Sequence, residues 1–401
     1  MPKLKMYPAK NGDAFLIEVA GQYILIDAGY AATFCDEIAP DLSQLRLAGQ
    51  RLSLALCTHI DADHIGGMIE FVSSNGPRGA RRIIDVDDFW HNSLRSLPPN
   101  AGPGDREEDQ QLLEAIRQRG FPAVAGQAPA ANPIGARQGS SLAQLLKEFG
   151  YRWNGGDGTL CIQAQTSPVE LSGGVEIQVI GPRLQRLEAL RSWWMRELQR
   201  LNYRGSGQIS DLVEDAYEMW WAAATSPGAA KIKPITSVAS RRLSDVYGQD
   251  TSLTNASSIT VILRGEGTTM LFLGDAWAED VISQFETIGL PTPLFDVIKI
   301  AHHGSKSNSS VELLQQVDAP CFLISSDGSR HGHPDFEVLA EIVDRPAPFE
   351  RAIYFNYETP AARQLRAYTS RSHTPFRVHM SHNDWINIGE YGIDRGRSQG
   401  R

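Results

Sequence analysis

"LALCTHIDADHIGGM", residues 54–68, sets two histidines and two aspartates within six positions, directly behind an apolar run. The run itself, "LSLALCT", is short and continuously apolar, which reads as a buried strand. A buried strand that ends in polar side chains delivers them to a sheet edge, where residues distant in sequence converge without loose loops. His59, Asp61, Asp63 and His64 lie close enough for one loop to offer imidazole nitrogens and carboxylate oxygens to one or two divalent ions. A merely polar loop is the plain alternative, and this density of ligand-type residues argues against it. The glycine pair in "DHIGG" reads as a tight turn into a helix, "GGMIEFVSS", whose N-terminal amides favour an anion.

Working outward, "AFLIEV" and "YILIDAG" are two further strands joined by the turn-prone "AGQ", and "RRIIDV" is a probable fourth. From about Pro98 the texture changes. "SLPPNAGPGDREED" and "GQAPAANPIGARQGSS" have loop composition. "EEDQQLLEAIRQRG", "SLAQLLKEFG", "RLQRLEALRSWWMRELQRL" and "SDLVEDAYEMWWAAA" carry apolar residues at helical spacing, with a strand-like "VEIQVIGP" between them. The tryptophans of these helices read as core anchors in preference to base-stacking platforms. The chain thus divides into residues 1–97, the first half of a core, residues 98–250, a largely helical insertion or lid, and residues 251–401, the second half of the core with a C-terminal extension.

In the last part, "SSITVILRGEGTTMLFLGD" reads as a hairpin turning at "GEG", and "FDVIKIAHHGS" and "PCFLISSDGSRHGHP" as strands ending in histidines. Asp275 at a strand end can add a bridging carboxylate, and His302 or His303 a further nitrogen, with His302 favoured because one of two adjacent side chains usually points away. Two metals roughly 3.5 to 4 Å apart acidify a shared water and clamp the oxygens of a phosphoryl or acyl group, so the chemistry is hydrolytic. His331 and His333 suit substrate phosphate, metal or a loop-structural role equally. His91, in "DDFWHNSLRS", is more economically a histidine packed beside Trp90 than a metal or substrate ligand. Ser305, Lys306 and Ser307 are candidates for substrate phosphate or for capping the next helix.

Composition bounds these readings. With 401 residues, 42% hydrophobic and 21% charged, the chain is an ordinary globular protein, and no apolar run is long enough to span a bilayer. The start lacks a secretory pattern, and Cys35, Cys57, Cys161 and Cys321 are scattered without disulfide-like or CxxC spacing, which together point to the cytoplasm. The formal charge of −9 argues against a broad basic surface for duplex binding.

"THIDADHIGG", preceded by "LIDAG" and followed by "LFLGD" and "IKIAHHGSKSNSS", resembles the metallo-β-lactamase fold superfamily. "HIDADHIGG", the run from "NASSITVIL" to "FLGDA", "HHGSKS" and "HGHP" are similar to the hydrolase domain of ComEC-like proteins and their stand-alone relatives. The resemblance covers about residues 5–90 and 250–345. It implies an α/β, four-layer αββα sandwich interrupted by the helical insertion. It also implies two divalent ions, manganese or zinc, with His59 and Asp61 on the first, Asp63 and His64 on the second, Asp275 between them and His302 as the next ligand. Asp27 of "LIDAG" would orient the ligand loop. Asp61 stands where a histidine is usual in the superfamily, and an added carboxylate raises the case for manganese. The implied activity is phosphodiesterase or nuclease, with a small nucleotide or single-stranded nucleic acid as substrate. Two other functions stay open: a non-catalytic or regulatory module that binds a protein partner through the insertion, and a hydrolase of carboxylic esters, lactones or β-lactams.

Overall fold

Strands Thr268–Phe272, Val297–Lys299, Cys321–Ile324, Arg351–Phe355 and Phe376–Met380 lie side by side and run parallel in a computed structural model that describes residues 1–97, 107–119, 141–205, 210–225, 241–290, 293–381 and 383–391. Central parallel strands are buried on both faces, which is why "VIKI" and "CFLI" are almost uniformly apolar. Thr260–Gly265, Val175–Gly181 and Val169–Leu171 extend this sheet antiparallel on the other side, completing eight strands. The expected hairpin turns at Glu266 and Gly267, whose φ values of 49° and 76° match the left-handed conformation that a two-residue turn demands.

Helices Ala278–Thr287, Val311–Gln316, Phe336–Asp344 and Pro360–Arg366 add apolar residues to the core of this sheet. Phe285, Leu314, Leu339 and Leu365 join Leu271, Ile298, Phe322 and Ile353 there. Each such side chain contributes about 1.5–3 kcal/mol by leaving water. A separate antiparallel ribbon places Lys3–Met6 between Ala14–Val19 and Trp385–Asn387. Phe15 meets Phe272 edge-on at 5.7 Å, and Asn356 Nδ2 donates to the Tyr7 carbonyl at 3.1 Å. All these elements belong to one compact unit, formed by Met1–Ile24, Gln163–Arg183 and Ala229–Arg401.

The second unit comprises Leu25–Ile162 and Leu184–Gly228. Within it, Leu52–Leu56 pairs in parallel with Phe89–Trp90, and helix Ala62–Asn75 packs against Leu142–Glu148 and Asp211–Thr225. The helices expected in the middle of the chain form as Glu107–Arg119, Leu142–Glu148, Leu184–Arg200 and Asp211–Thr225. Trp194 and Trp220 are buried anchors, their rings 5.6 Å apart edge-to-face. Most of the two loop-like stretches, at 98–106 and 120–140, and the side chain of Trp221 lie outside the described residues.

Two local expectations are corrected. "RRIIDV" is not a strand: Val86 makes a single bridge to Leu52, and the backbone N–H groups of Ile83 and Ile84 donate to Asn75 Oδ1 at 2.9 and 3.0 Å in place of a sheet neighbour. The helix behind the ligand loop begins at Ala62, not at the glycine pair, so Asp63 and His64 occupy its first turn. The glycines serve packing instead. A Cβ on Gly67 would lie 2.0 Å from the Ala28 carbonyl oxygen, and the Gly67 N–H donates to the Gly29 carbonyl at 2.7 Å.

The result is a mixed α/β fold with two sheets and helices, consistent with the architecture that the resemblance implies. Among the described residues no helix is long and apolar enough to cross a membrane.

Candidate metal centre

Strand Leu52–Leu56 carries the chain into Thr58 and His59, and strand Gln22–Ala28 carries Asp27 as its penultimate residue, fully buried with φ 54°. Left-handed backbone is tolerated by aspartate more readily than by most residues, and its surroundings hold it there. Asp27 Oδ1 accepts from the Thr58 N–H at 2.7 Å, and Oδ2 accepts from the Thr58 hydroxyl at 2.7 Å and from His64 Nδ1 at 2.8 Å. With Nδ1 as donor, the His64 lone pair sits on Nε2. The same reasoning fixes His59. Thr58 has one hydroxyl proton and gives it to Asp27, so the 3.1 Å contact between Thr58 Oγ1 and His59 Nδ1 has the imidazole as donor, leaving the lone pair on Nε2. The two rings lie 4.1 Å apart by centroid, and His59 Nε2 is 3.9 Å from Asp61 Oδ2. Asp61 occupies the N-cap position of the helix without its side chain capping it, and Asp63 is buried. One loop therefore presents two imidazoles of matched tautomer together with two carboxylates, a donor set suited to divalent cations.

In the other unit, the carboxyl ends of adjacent parallel strands bring Asp275, His302 and His303 together. His302 Nε2 is 3.7 Å and His303 Nε2 3.8 Å from Asp275 Oδ2. Adjacent residues of an extended strand would point to opposite faces. These two have φ of 46° and 57°, so that alternation does not hold, and both rings face the same carboxylate. The expectation that one points away is thus corrected. His302 Nδ1 contacts Asn308 Oδ1 at 2.8 Å, and the Asn308 amide donates to the Asp275 carbonyl at 3.0 Å. His303 Nδ1 contacts the Ser325 carbonyl at 2.9 Å and Asp13 Oδ1 at 3.3 Å. Burial pulls the His303 pKa down, but the Asp275 and Asp13 carboxylates outweigh it, and the net shift is upward. Lys299, itself buried, reaches the Gly274 carbonyl at 2.9 Å, pairs with Asp13 and lies 3.8 Å from Asp275 Oδ1.

The remaining sequence candidates take more local roles. His91 stacks on Trp153 at 6.1 Å, not on Trp90, and its Nε2 meets the buried Glu218 Oε1 at 2.8 Å. Lys306 Nζ is 2.5 Å from Asp335 Oδ1, and His333 Nδ1 is 3.2 Å from Asp335 Oδ2. Burial alone would raise the Asp335 pKa, yet His333 and Lys306 lower it to about 2. Ser305 Oγ accepts from the Ser307 N–H at 3.2 Å, a local turn. The helix that follows is capped by Ser310, so the capping alternative for Ser305 and Ser307 is corrected. The His302 ring centroid lies 6.3 Å from that of His331 and 5.2 Å from that of His333. Sequence reasoning missed Asp13, Thr58, Glu218 and Lys299. A lysine inside "VIKI" was the readable signal, because a buried ammonium must have a carboxylate partner.

Residues 7–136, which include Asp27 and the His59–His64 loop, match the model of the metallo-beta-lactamase superfamily. The matched segment is about a third of the chain, and the likeness is to that superfamily over this segment. No curated protein matches the chain. Among solved structures it is similar to the metallo-beta-lactamase fold protein YhfI from Bacillus subtilis, at 9% identity over 96% of this chain and 100% of that one, with a TM-score of 0.38. It is also similar to a diphosphatase from the PhnP family, at 10% identity over 96% and 98%, with a TM-score of 0.32. A third is MEM-A1, a subclass B3 metallo-beta-lactamase from a soil metagenome library, at 12% identity over 75% and 78%, with a TM-score of 0.27.

Proposed function

We propose that the protein is a metal-dependent hydrolase of phosphodiesters, acting on small nucleotides or single-stranded nucleic acid. The observation that carries this reading is the hydrogen-bond geometry around Asp27 and Thr58, in which Nδ1 of both His59 and His64 faces an acceptor and Nε2 is left to serve a cation. His59, Asp61, Asp63 and His64 are the proposed ligands of two ions, and Asp275 with His302 or His303 are proposed metal ligands as well. When bound, divalent metal supplies an acidified water and positive charge to a developing oxyanion. The chain's own contribution is orientation: Asp27 and Thr58 fix the imidazole tautomers, and Asn308 holds the His302 ring. Oxygen-rich ligation through Asp61 and Asp63 favours harder ions, manganese at least as much as zinc. A net charge of −9 favours short or single-stranded substrates over duplex DNA, whose binding depends on neutralising many phosphates.

The test pairs metal analysis of the purified protein by mass spectrometry with turnover of bis-(p-nitrophenyl) phosphate in manganese, zinc or no added metal. Labelled single-stranded and duplex oligonucleotides are compared at near-physiological salt. The expected result is bound divalent metal, manganese-supported diester cleavage and preference for the single strand. Absence of hydrolysis with every metal overturns the reading, and efficient duplex cutting overturns the substrate preference.

A further inference from the structure

An acidic chain has gathered arginines around one cavity. Arg51, Arg78, Arg81 and Arg152 line a space of about 900 Å³ in the unit that carries the histidine loop, with Asp85 and Asp87 as the acidic residues of the wall. Four guanidiniums against two carboxylates leave a surplus of two positive charges. Asp87 is engaged by Arg51 at 2.7 Å, and Arg152 lies 3.9 Å from Asp88, whose carboxylate also accepts from the Gly155 N–H at 3.0 Å. Arg78 and Arg152 are exposed to solvent at the cavity.

The wall is braced. The Arg78 N–H donates to the Phe149 carbonyl at 2.8 Å, and the Arg152 carbonyl accepts from the Phe89 N–H at 3.0 Å, so the two arginine-bearing segments are tied through main chain. Arg81 Cζ lies over the Tyr151 ring, 3.3 Å from its centroid, and the Tyr151 hydroxyl accepts from Asn75 Nδ2 at 2.9 Å. The Arg81 guanidinium, held in this way, loses little freedom when it binds an anion, and the main-chain ties fix where the Arg78 and Arg152 side chains start.

The cavity is remote from the ligand loop. Helix Ala62–Asn75 begins beside His64 and ends just before Arg78, a rise of about 20 Å. Arg51 likewise precedes strand Leu52–Leu56, whose far end leads to His59.

We infer that this cavity is a binding site for the phosphate groups of a nucleotide-sized ligand, separate from the metal centre. Guanidinium forks match phosphate oxygens, and a cavity of this size accommodates a small molecule as a whole. Asp85 supplies an acceptor for a ribose hydroxyl or base amine beside the cations. The phosphate can come from a free nucleotide or from the 5′ end of a strand.

The test is calorimetric titration of chelator-treated protein with inorganic phosphate, ADP and a 5′-phosphorylated tetrathymidylate. We expect ADP or the phosphorylated strand to bind, with inorganic phosphate weaker. The Arg78→Glu/Arg152→Glu variant should weaken binding at least tenfold, and Arg78→Ala/Arg152→Ala less, with both keeping the wild-type unfolding midpoint and bis-(p-nitrophenyl) phosphate turnover. His64→Ala protein should bind as the wild type does, which separates this site from the metal-hydrolase reading. Tighter binding of ADP identifies a free nucleotide as the ligand, and tighter binding of the oligonucleotide identifies a strand end. No binding of any probe at millimolar concentration, or equal binding by the charge-reversed protein, overturns the inference.

Discussion

The histidine loop and the edge that carries His302 and His303 hold buried charge by opposite means. Around the loop, the buried Asp27 carboxylate is met by a main-chain N–H, a hydroxyl and an imidazole, neutral donors that fix where protons sit. At the edge, Asp13 is paired with the ammonium of Lys299, which also lies 3.8 Å from Asp275. One arrangement sets the orientation of lone pairs, and the other supplies a permanent cation. The contrast teaches that the two supports should fail differently: loss of the Asp27 hydrogen bonds appears in metal binding and turnover, loss of the Lys299 ammonium in folding stability.

The sharpest way to break the comparison is within the loop. Asp63→Ala or His64→Ala should abolish diester hydrolysis, a loss of at least about 10³-fold, while the fold survives: Asp63→Ala relieves like-charge repulsion, and in His64→Ala the Asp27 carboxylate keeps its two donors from Thr58. Wild-type turnover in both variants under saturating metal would sink the ligand assignment. Next in size is Lys299→Met, which takes the ammonium away from the buried Asp13 carboxylate and leaves it the contact with His303. Removing one partner of a buried pair costs about 3–5 kcal/mol, read as a lowered urea midpoint. A loss below about 1 kcal/mol would show that the lysine is not the structural cation described here. The smallest effect sharpens the contrast. Asp27→Asn keeps a residue tolerant of φ 54° but points an amide donor at the Thr58 hydroxyl or at His64 Nδ1. The tautomer should reverse, and metal affinity should fall about 10- to 100-fold in chelator competition, with the unfolding midpoint little changed. An unaltered affinity would separate Asp27 from ligand orientation.

The elements that announce themselves in sequence are those whose local pattern and tertiary role agree. Largely apolar "LSLAL" and uniformly apolar "CFLI" form buried strands, and the amphipathic middle segments form helices. "RRIIDV" failed because a single side chain, Asn75, takes the N–H groups that a neighbouring strand would have taken, and no period in the sequence encodes that choice. At the site, residue types and spacing made the loop legible, whereas its proton arrangement depends on Asp27 and Thr58 being adjacent across 31 positions. The pair His302 and His303 was misjudged by the strand rule because left-handed backbone cancels alternation. Asp13 escaped notice because its partners Lys299 and His303 lie almost three hundred residues away.

Gly67 sets a limit on how this protein can change. Its missing side chain lets the helix behind the ligand loop rest on the main chain of Ala28, one residue beyond Asp27. Inserting one residue between His64 and Gly67 would turn the glycine by about 100° around the helix axis and drive a side chain into that carbonyl. The distance along the chain from ligand to glycine therefore works as a ruler. A designer can exchange the chemistry written on the loop, histidine for aspartate at position 61 among other swaps, yet must leave its length alone.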